Sequence, residues 1–268
     1  MMNERLAALE RILKLNDLRP SVEILELLRH GRRNTLAAAL QVDPQTLAEC
    51  PSSWWWAPRQ TRWVWTGFEP FGGHEINPSA AVAEAAAAHM RAAGFDATFE
   101  ELPVTFERAG RYASEWLAAH AVEDARPVWF LHMGLAAARE GVSLERVARP
   151  QSCQTPDNAG AVAPSESVSF GGSGLLYTTI EIERLRALLA PGVKRAVGLE
   201  VGLSEDAGGY VCNAIFRASL AAIQAEQAQR PFDEALFIHI PQLREPQRAA
   251  LGEALAEGFI ALADEVAG

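Results

Sequence analysis

Three of the 268 side chains in this sequence are thiols, and Cys212 sits where a thiol can become a nucleophile. It follows Ala207-Gly208-Gly209-Tyr210-Val211 and opens an amphipathic helical stretch, Cys212-Asn213-Ala214-Ile215-Phe216. A thiol in the first turn of a helix feels the positive end of the macrodipole, which favours the thiolate. Gly208 and Gly209 let the backbone approach closely and leave N–H groups free, as an oxyanion site requires. Position alone still favours the plainer reading, a small buried hydrophobe. A thiolate nucleophile also needs a base, usually His, and a group to orient that base. Of the six histidines, His30, His74, His89 and His120 have no special context, whereas His132 and His239 sit in strand-like runs, Phe130–Gly134 and Phe237–Pro241. His239 lies at the carboxyl end of its strand, where open α/β sheets gather ligands. A lone His among apolar strand residues otherwise reads as a satisfied core histidine.

A second candidate feature is Trp63-Val64-Trp65-Thr66-Gly67-Phe68-Glu69-Pro70-Phe71-Gly72-Gly73, a strand run into a Gly-rich turn, followed by Ile76-Asn77-Pro78-Ser79 opening a helix. No Lys-Ser/Thr follows and the glycine spacing is wrong for a dinucleotide site, so this is no phosphate loop. Phe68 and Phe71, three apart on a turn, suit a flat uncharged ring or a plain hydrophobic turn equally.

The elements that must position these residues alternate. Strand-like runs fall at Trp63–Thr66, Thr98–Val104, Val128–Met133, Ala196–Val201 and Leu236–Ile240. Helical stretches fall at Ser79–Ala93, Phe106–Ala121, Ile180–Leu189, Val211–Ala228 and Glu245–Val266. Strands separated by helices of this length imply βαβ crossovers and hence a mostly parallel sheet covered on both faces. Residues 146–173, rich in Pro, Ser, Asn and Gly, form a long irregular excursion of the kind that often carries function. Ahead of this α/β domain, residues 61–268, lies a helical N-terminal extension, residues 1–60. It ends in a Pro/Ser connector around Trp54-Trp55-Trp56, whose indoles need a surface to pack on.

Composition narrows the function classes. The chain is 49% apolar and 22% charged, an ordinary globular balance. A net charge of -10 disfavours nucleic acid or an anionic membrane as partner. The excess is uneven: residues 1–60 hold 8 basic and 7 acidic side chains, residues 61–268 hold 16 and 27. Cys50, Cys153 and Cys212 form neither a CxxC pair nor an even framework, which fits a reducing cytosol and no Cys-rich zinc site. No metal is expected, since no H-E-x-x-H pairing occurs. No uninterrupted apolar run of membrane-spanning length and no secretory signal occur either, so the expected compartment is cytoplasmic.

The quoted motifs resemble one family. Gly67–Gly73 with Ile76–Ser79 is similar to the N-terminal signature of pyroglutamyl peptidase I, a cysteine peptidase family. Leu102-Pro103-Val104 resembles its second strand. Gly134–Arg139 with Leu144–Ala148 resembles the segment of its catalytic glutamate, and Pro156-Asp157-Asn158 its pocket loop. Ala207–Asn213 resembles its nucleophile motif and Ile238–Pro241 its histidine motif. The resemblance spans about residues 61–266. It implies a three-layer α/β/α fold without cofactor, often homo-oligomeric (dimer or tetramer), and a triad of Cys212 as nucleophile, His239 as base and acid, and Glu145 orienting His239. It also implies a substrate-binding pocket of Phe68, Phe71, Leu135, Tyr210 and Val211 for a peptide with an N-terminal 5-oxoprolyl (pyroglutamyl) residue. Taken alone, Glu145 beside Arg146 in a loop reads as a solvated surface pair. Leu135 and Gln154 stand where many members carry Gln and Arg. The alternative reading is therefore a weakly catalytic relative that binds, or a hydrolase of another small amide.

Overall fold

A computed structural model describes residues 60–120, 126–150, 153–163, 174–226 and 233–267. The helices read within residues 1–47, Cys50 and the Trp54–Trp56 connector lie outside the described residues. The central sheet has six strands: β1 (Arg62–Phe68), β2 (Asp96–Leu102), β3 (Val128–Leu135), β4 (Val142–Glu145), β7 (Val201–Ser204) and β8 (Glu234–Ile240), in the order β2-β1-β3-β8-β4-β7. The first four in that order are mutually parallel; β4 runs antiparallel to β8 and carries β7 parallel to itself. Two short strands, β5 (Val147–Ala148) and β6 (Leu176–Tyr177), pair as a separate ribbon. The sheet is thus mostly parallel, and it is the middle layer of an α/β/α sandwich.

Among the described residues, five helices cover it. On one face α1 (Pro78–Ala92), α3 (Ile182–Val197) and α5 (Glu245–Ala267) pack over a core built on Trp63, Trp65, Leu131, Met133, Leu236 and Ile238. On the other, α2 (Phe106–His120) and α4 (Val211–Glu226) pack over Val64, Phe130, Ala235 and Phe237. Strand alternation sorts these residues: odd and even positions of β1, β3 and β8 go to opposite faces, as a pleat requires. The α1 face is aromatic at its centre, where the Trp63 and Trp65 rings meet Phe259 at 5.9 and 5.3 Å between centroids.

Close approaches fix the crossovers. A Cβ at Gly67 would fall 2.3 Å from Ala80 Cα, so β1 can lie against the start of α1 only with glycine there. The Asn77 side chain caps α1 by accepting from Ser79 N–H, and Pro78 occupies the first helical position, where a missing N–H costs nothing.

One expected strand is corrected. Ala196–Val201 does not form a single strand: α3 runs on through Val197 and stops at Gly198, which takes the left-handed conformation at φ 76°. Its N–H caps Lys194 O, a helix stop that permits β7 to begin only at Val201. The β4 strand has no counterpart in the expected pattern, and Glu145 ends it rather than lying in a loop. The stretch from 146 onward also begins with a short strand, β5, while residues 153–163 contain neither helix nor strand.

Candidate active site

The carboxyl ends of β1, β3 and β8 open onto the N-terminus of α4. Cys212 is the second residue of α4, behind Ala207-Gly208-Gly209-Tyr210, with Gly208 at φ 78°. Its sulfur lies against β3: a Cβ built on Gly134 would sit 2.9 Å from Cys212 Sγ and 2.7 Å from Phe237 Cζ. Gly134 is in register with His239 on the adjacent strand β8, where paired Cα atoms stand about 4.8 Å apart and side chains share a face. Thiol and imidazole therefore occupy the same side of the sheet at neighbouring positions. The absent side chain at 134 is what admits the sulfur.

Behind His239 stands Glu145. The antiparallel register of β4 on β8 pairs Glu145 with Phe237 and brings its carboxylate across to His239, with Nδ1 and Oε1 at 2.7 Å. Glu145 is fully buried and His239 is 5% exposed. Burial raises the proton affinity of Glu145, but the hydrogen bond and charge of His239, the Ser204 hydroxyl and the Arg139 guanidinium outweigh it and hold the carboxyl below its ordinary range. A buried ionised carboxylate at Nδ1 fixes the His239 tautomer and ring plane, leaving Nε2 for other work.

Cys212 differs from the thiolate that helix position alone implies. Burial and the negative charge of Glu145 push its thiol up to about 12, against the opposing pull of its own backbone N–H and of Arg139. In the resting site Cys212 is therefore a protonated thiol at neutral pH rather than a free thiolate.

A cleft of about 210 Å³, counting its open mouth, adjoins the sulfur. All five residues expected to bind substrate, Phe68, Phe71, Leu135, Tyr210 and Val211, line it together with Cys212. Asn77, Val104 and Gly134 line it too and were not singled out from the sequence. Gly134 carried a usable signal, because a glycine inside a strand marks a close approach of some other group. Phe71 and Tyr210 stack loosely at 5.9 Å and 30°, while Phe106 meets Tyr210 edge-on at 5.5 Å.

The irregular loop closes one side of this cleft through hydrogen bonds to chain segments far away in sequence. Asn158 donates to Glu69 Oε1 at 2.8 Å and to Pro70 O at 2.9 Å, and the same Glu69 oxygen accepts from Val104 N–H. Asp157 accepts from Phe106, Ala159 and Ala161 N–H groups, and Tyr210 donates its hydroxyl to Pro156 O at 3.0 Å. Gln154 is exposed. Among the described residues no group of three or more His, Cys, Asp or Glu side chains could hold a metal, and no helix is long and apolar enough to cross a membrane.

His132 takes no part in this arrangement. It is fully buried beneath the cleft, with Thr66 Oγ1 2.8 Å from Nδ1 and Ser219 Oγ 2.9 Å from Nε2. Burial without a charged partner pushes its pKa down to about 3, so it is neutral in the folded protein.

The chain is similar to known proteins over most of its length. The sequence profile of the family described as pyroglutamyl peptidase matches residues 62–268. The pyrrolidone-carboxylate peptidase of Gloeobacter violaceus is 33% identical over 193 residues, 72% of this chain and 87% of the relative. That of Erwinia tasmaniensis is 34% identical over 183 residues, 67% of this chain and 78% of the relative. Among solved structures, pyroglutamyl peptidase I of Bacillus amyloliquefaciens superposes with a TM-score of 0.60 at 26% identity, covering 76% of this chain and 97% of that one. Pyrrolidone carboxyl peptidase of the hyperthermophile Pyrococcus furiosus superposes with a TM-score of 0.58 at 26% identity, covering 77% and 99%. With a family model matching residues 62–268 and relatives more than 30% identical over two thirds of its length, the chain belongs to the pyroglutamyl peptidase family.

Proposed function

We propose that this protein is a cysteine omega-peptidase that removes an N-terminal 5-oxoprolyl residue from peptides. The observation that carries the reading is the line Cys212–His239–Glu145: a thiol packed on Gly134, an imidazole at the register position beside it, and a buried carboxylate 2.7 Å from its Nδ1. The adjoining cleft is lined by Phe68, Phe71, Leu135, Tyr210 and Val211, with no charged side chain among the described residues that line it. A 5-oxoprolyl ring has no ammonium group to strip of its hydration beside such an uncharged lining, whereas the cationic ring of an N-terminal proline would lose its hydration without a counter-charge.

In this mechanism His239 accepts the Cys212 proton as Sγ attacks the carbonyl carbon of the oxoprolyl residue. The oxygen takes up negative charge and is met by backbone N–H groups at the start of α4. The C–N bond then breaks, the leaving amine takes the proton from His239, and a thioester remains on Cys212. Water, giving a proton to His239, adds to the thioester; the C–S bond breaks, the proton returns to sulfur, and free 5-oxoproline departs. Glu145 stabilises the imidazolium formed in each half. The same reading implies a cytosolic dimer or tetramer, and light scattering of the purified chain measures the oligomeric state.

The test is release of a fluorogenic amine from a 5-oxoprolyl amide, with a prolyl amide as charged control, by the wild type and Cys212→Ser. Turnover of the oxoprolyl substrate alone, lost in Cys212→Ser, is the expected result. A folded protein with a free thiol that releases no amine overturns the reading and leaves a binding protein or a hydrolase of another amide.

A further inference from the structure

The Glu145 oxygen that accepts from His239 has a second donor. Arg139 Nη1 lies 2.6 Å from the same Oε1, and Arg139 Nη2 donates to Asp206 O at 2.7 Å. Asp206 belongs to the turn leading into Ala207–Tyr210 and thence to Cys212, and its Oδ1 accepts from Gly208 N–H. One guanidinium therefore ties the buried carboxylate to the backbone that delivers the nucleophile. A planar fork holds two acceptors at a fixed separation, which a lysine ammonium on a flexible stem does not. Arg139 reaches in from the segment after β3 with its side chain 27% exposed, beside a carboxylate with none of its own surface in solvent.

We propose that Arg139 is a positioning residue for the catalytic pair: it holds Oε1 of Glu145 toward His239 and offsets the carboxylate's negative charge at Cys212. This rests on the reading that Cys212 and His239 exchange a proton. The charged and titratable groups concerned are His239 from β8, Glu145 from β4, Arg139 itself and Cys212 from α4, with the Ser204 hydroxyl from β7 beside the carboxylate. Asp206 and Arg149, the latter donating to Glu205 O, line the same turn farther out. Arg139 already opposes Glu145 at the thiol, lowering its proton affinity while the carboxylate raises it. Removing a cation raises the proton affinity of every group that feels it, so both limbs of a bell-shaped kcat/KM profile move to higher pH together.

The experiment compares wild type, Arg139→Gln and Arg139→Lys by the pH profile of 5-oxoprolyl amide cleavage. It also reads the iodoacetamide alkylation rate of the Cys212 peptide by mass spectrometry between pH 7 and 9. Arg139→Gln is expected to lose about 10- to 50-fold in kcat/KM, to shift the profile upward by about half to one pH unit, and to alkylate about 3- to 10-fold more slowly at fixed pH. Arg139→Lys, which keeps the charge but not the fork, is expected to restore the profile's position while kcat stays below wild type. An unshifted profile or an unchanged alkylation rate in Arg139→Gln overturns the proposal, as does a lysine variant equally impaired in both respects. If the glutamine variant does not fold, Arg139→Lys decides alone: reduced kcat at an unshifted profile supports the proposal, and wild-type kcat overturns it. Alkylation needs no turnover, so a protein with Arg139-dependent thiol reactivity and no peptidase activity would sink the proposed function and leave this inference standing.

Discussion

His132 and His239 stand on the same face of neighbouring parallel strands, two rungs apart, and each has apolar neighbours along its strand. His132 meets hydroxyls at both ring nitrogens, Thr66 and Ser219, in the interior of the α2/α4 face. His239 meets a buried carboxylate at Nδ1 and lies beside a thiol at the cleft. Two hydroxyls satisfy the hydrogen-bonding needs of a neutral ring and give no charge to stabilise a protonated one, so burial drives His132 to about 3. A carboxylate at Nδ1 instead sets a negative charge 2.7 Å from the His239 ring. Both rings are buried, but His132 is bonded at both nitrogens to neutral hydroxyls, whereas His239 has a carboxylate at Nδ1; the charge of that partner is what distinguishes the histidine proposed to move a proton.

The comparison breaks most visibly at His239. His239→Gln is expected to lower kcat/KM by about 10³- to 10⁴-fold while the unfolding midpoint stays within a few degrees; steady-state kinetics beside a melting curve reads both. A variant retaining a tenth of wild-type activity would end the assignment of His239 as base. Glu145→Gln comes next. The amide cannot stabilise an imidazolium and leaves Arg139 facing a neutral group, so a loss of about 10²- to 10³-fold is expected, mostly in kcat. If it costs less than about threefold, the carboxylate is not what distinguishes the two histidines.

Where the sequence was readable, local chemistry made it so. Cys212 stands out because paired glycines precede a helix start, and His239 because a strand ends beside it at Pro241. Four parallel strands and their helices follow from periodicity, since each is long enough to show it. Glu145 is different. It ends a four-residue strand whose antiparallel pairing with β8 is set by tertiary contact, and nothing local distinguishes its carboxylate from a surface one. Only the family resemblance marked it. The expected strand Ala196–Val201 failed because apolar residues at the end of α3 look like a strand until Gly198 is seen to stop a helix. Arg139 was invisible for the reason that hid Glu145: its role depends on two acceptors brought together from distant parts of the chain.

A smaller effect is expected at Gly134, the position that lets the sulfur reach the imidazole's rung. Gly134→Ala would place a methyl 2.9 Å from Cys212 Sγ and 2.7 Å from Phe237 Cζ, and Phe237 in turn packs on the His239 ring at 4.7 Å between centroids. Both partners must shift by a few tenths of an ångström or more. A drop of about 10- to 100-fold in kcat, with a stability loss of about 1–3 kcal/mol, is expected from overpacking and misalignment together. Unchanged kcat would show that the sulfur does not work from the position it occupies against β3.

The smallest effect on turnover is expected at His132, and there the comparison becomes one of stability. His132→Gln keeps a polar group between Thr66 and Ser219 but cannot reproduce both bonds, so about 1–3 kcal/mol is lost at pH 7 while kcat/KM stays within about threefold. The pH dependence carries the sharper expectation. A histidine depressed from 6.5 to about 3 by folding supports the fold fully above pH 6.5 and loses that support as pH falls toward 3, because the unfolded chain gains a proton that the folded one refuses. Glutamine has no such titration. Glu145 also weakens the fold in acid, but it is present in both proteins and cancels in the difference. Urea midpoints at pH 7 and 4.5 should therefore show the variant's deficit shrinking by about 2–3 kcal/mol, and reversing if the deficit at pH 7 is small. A deficit constant with pH would mean that His132 accepts a proton in the folded state. The two histidines would then differ only in their distance from the thiol.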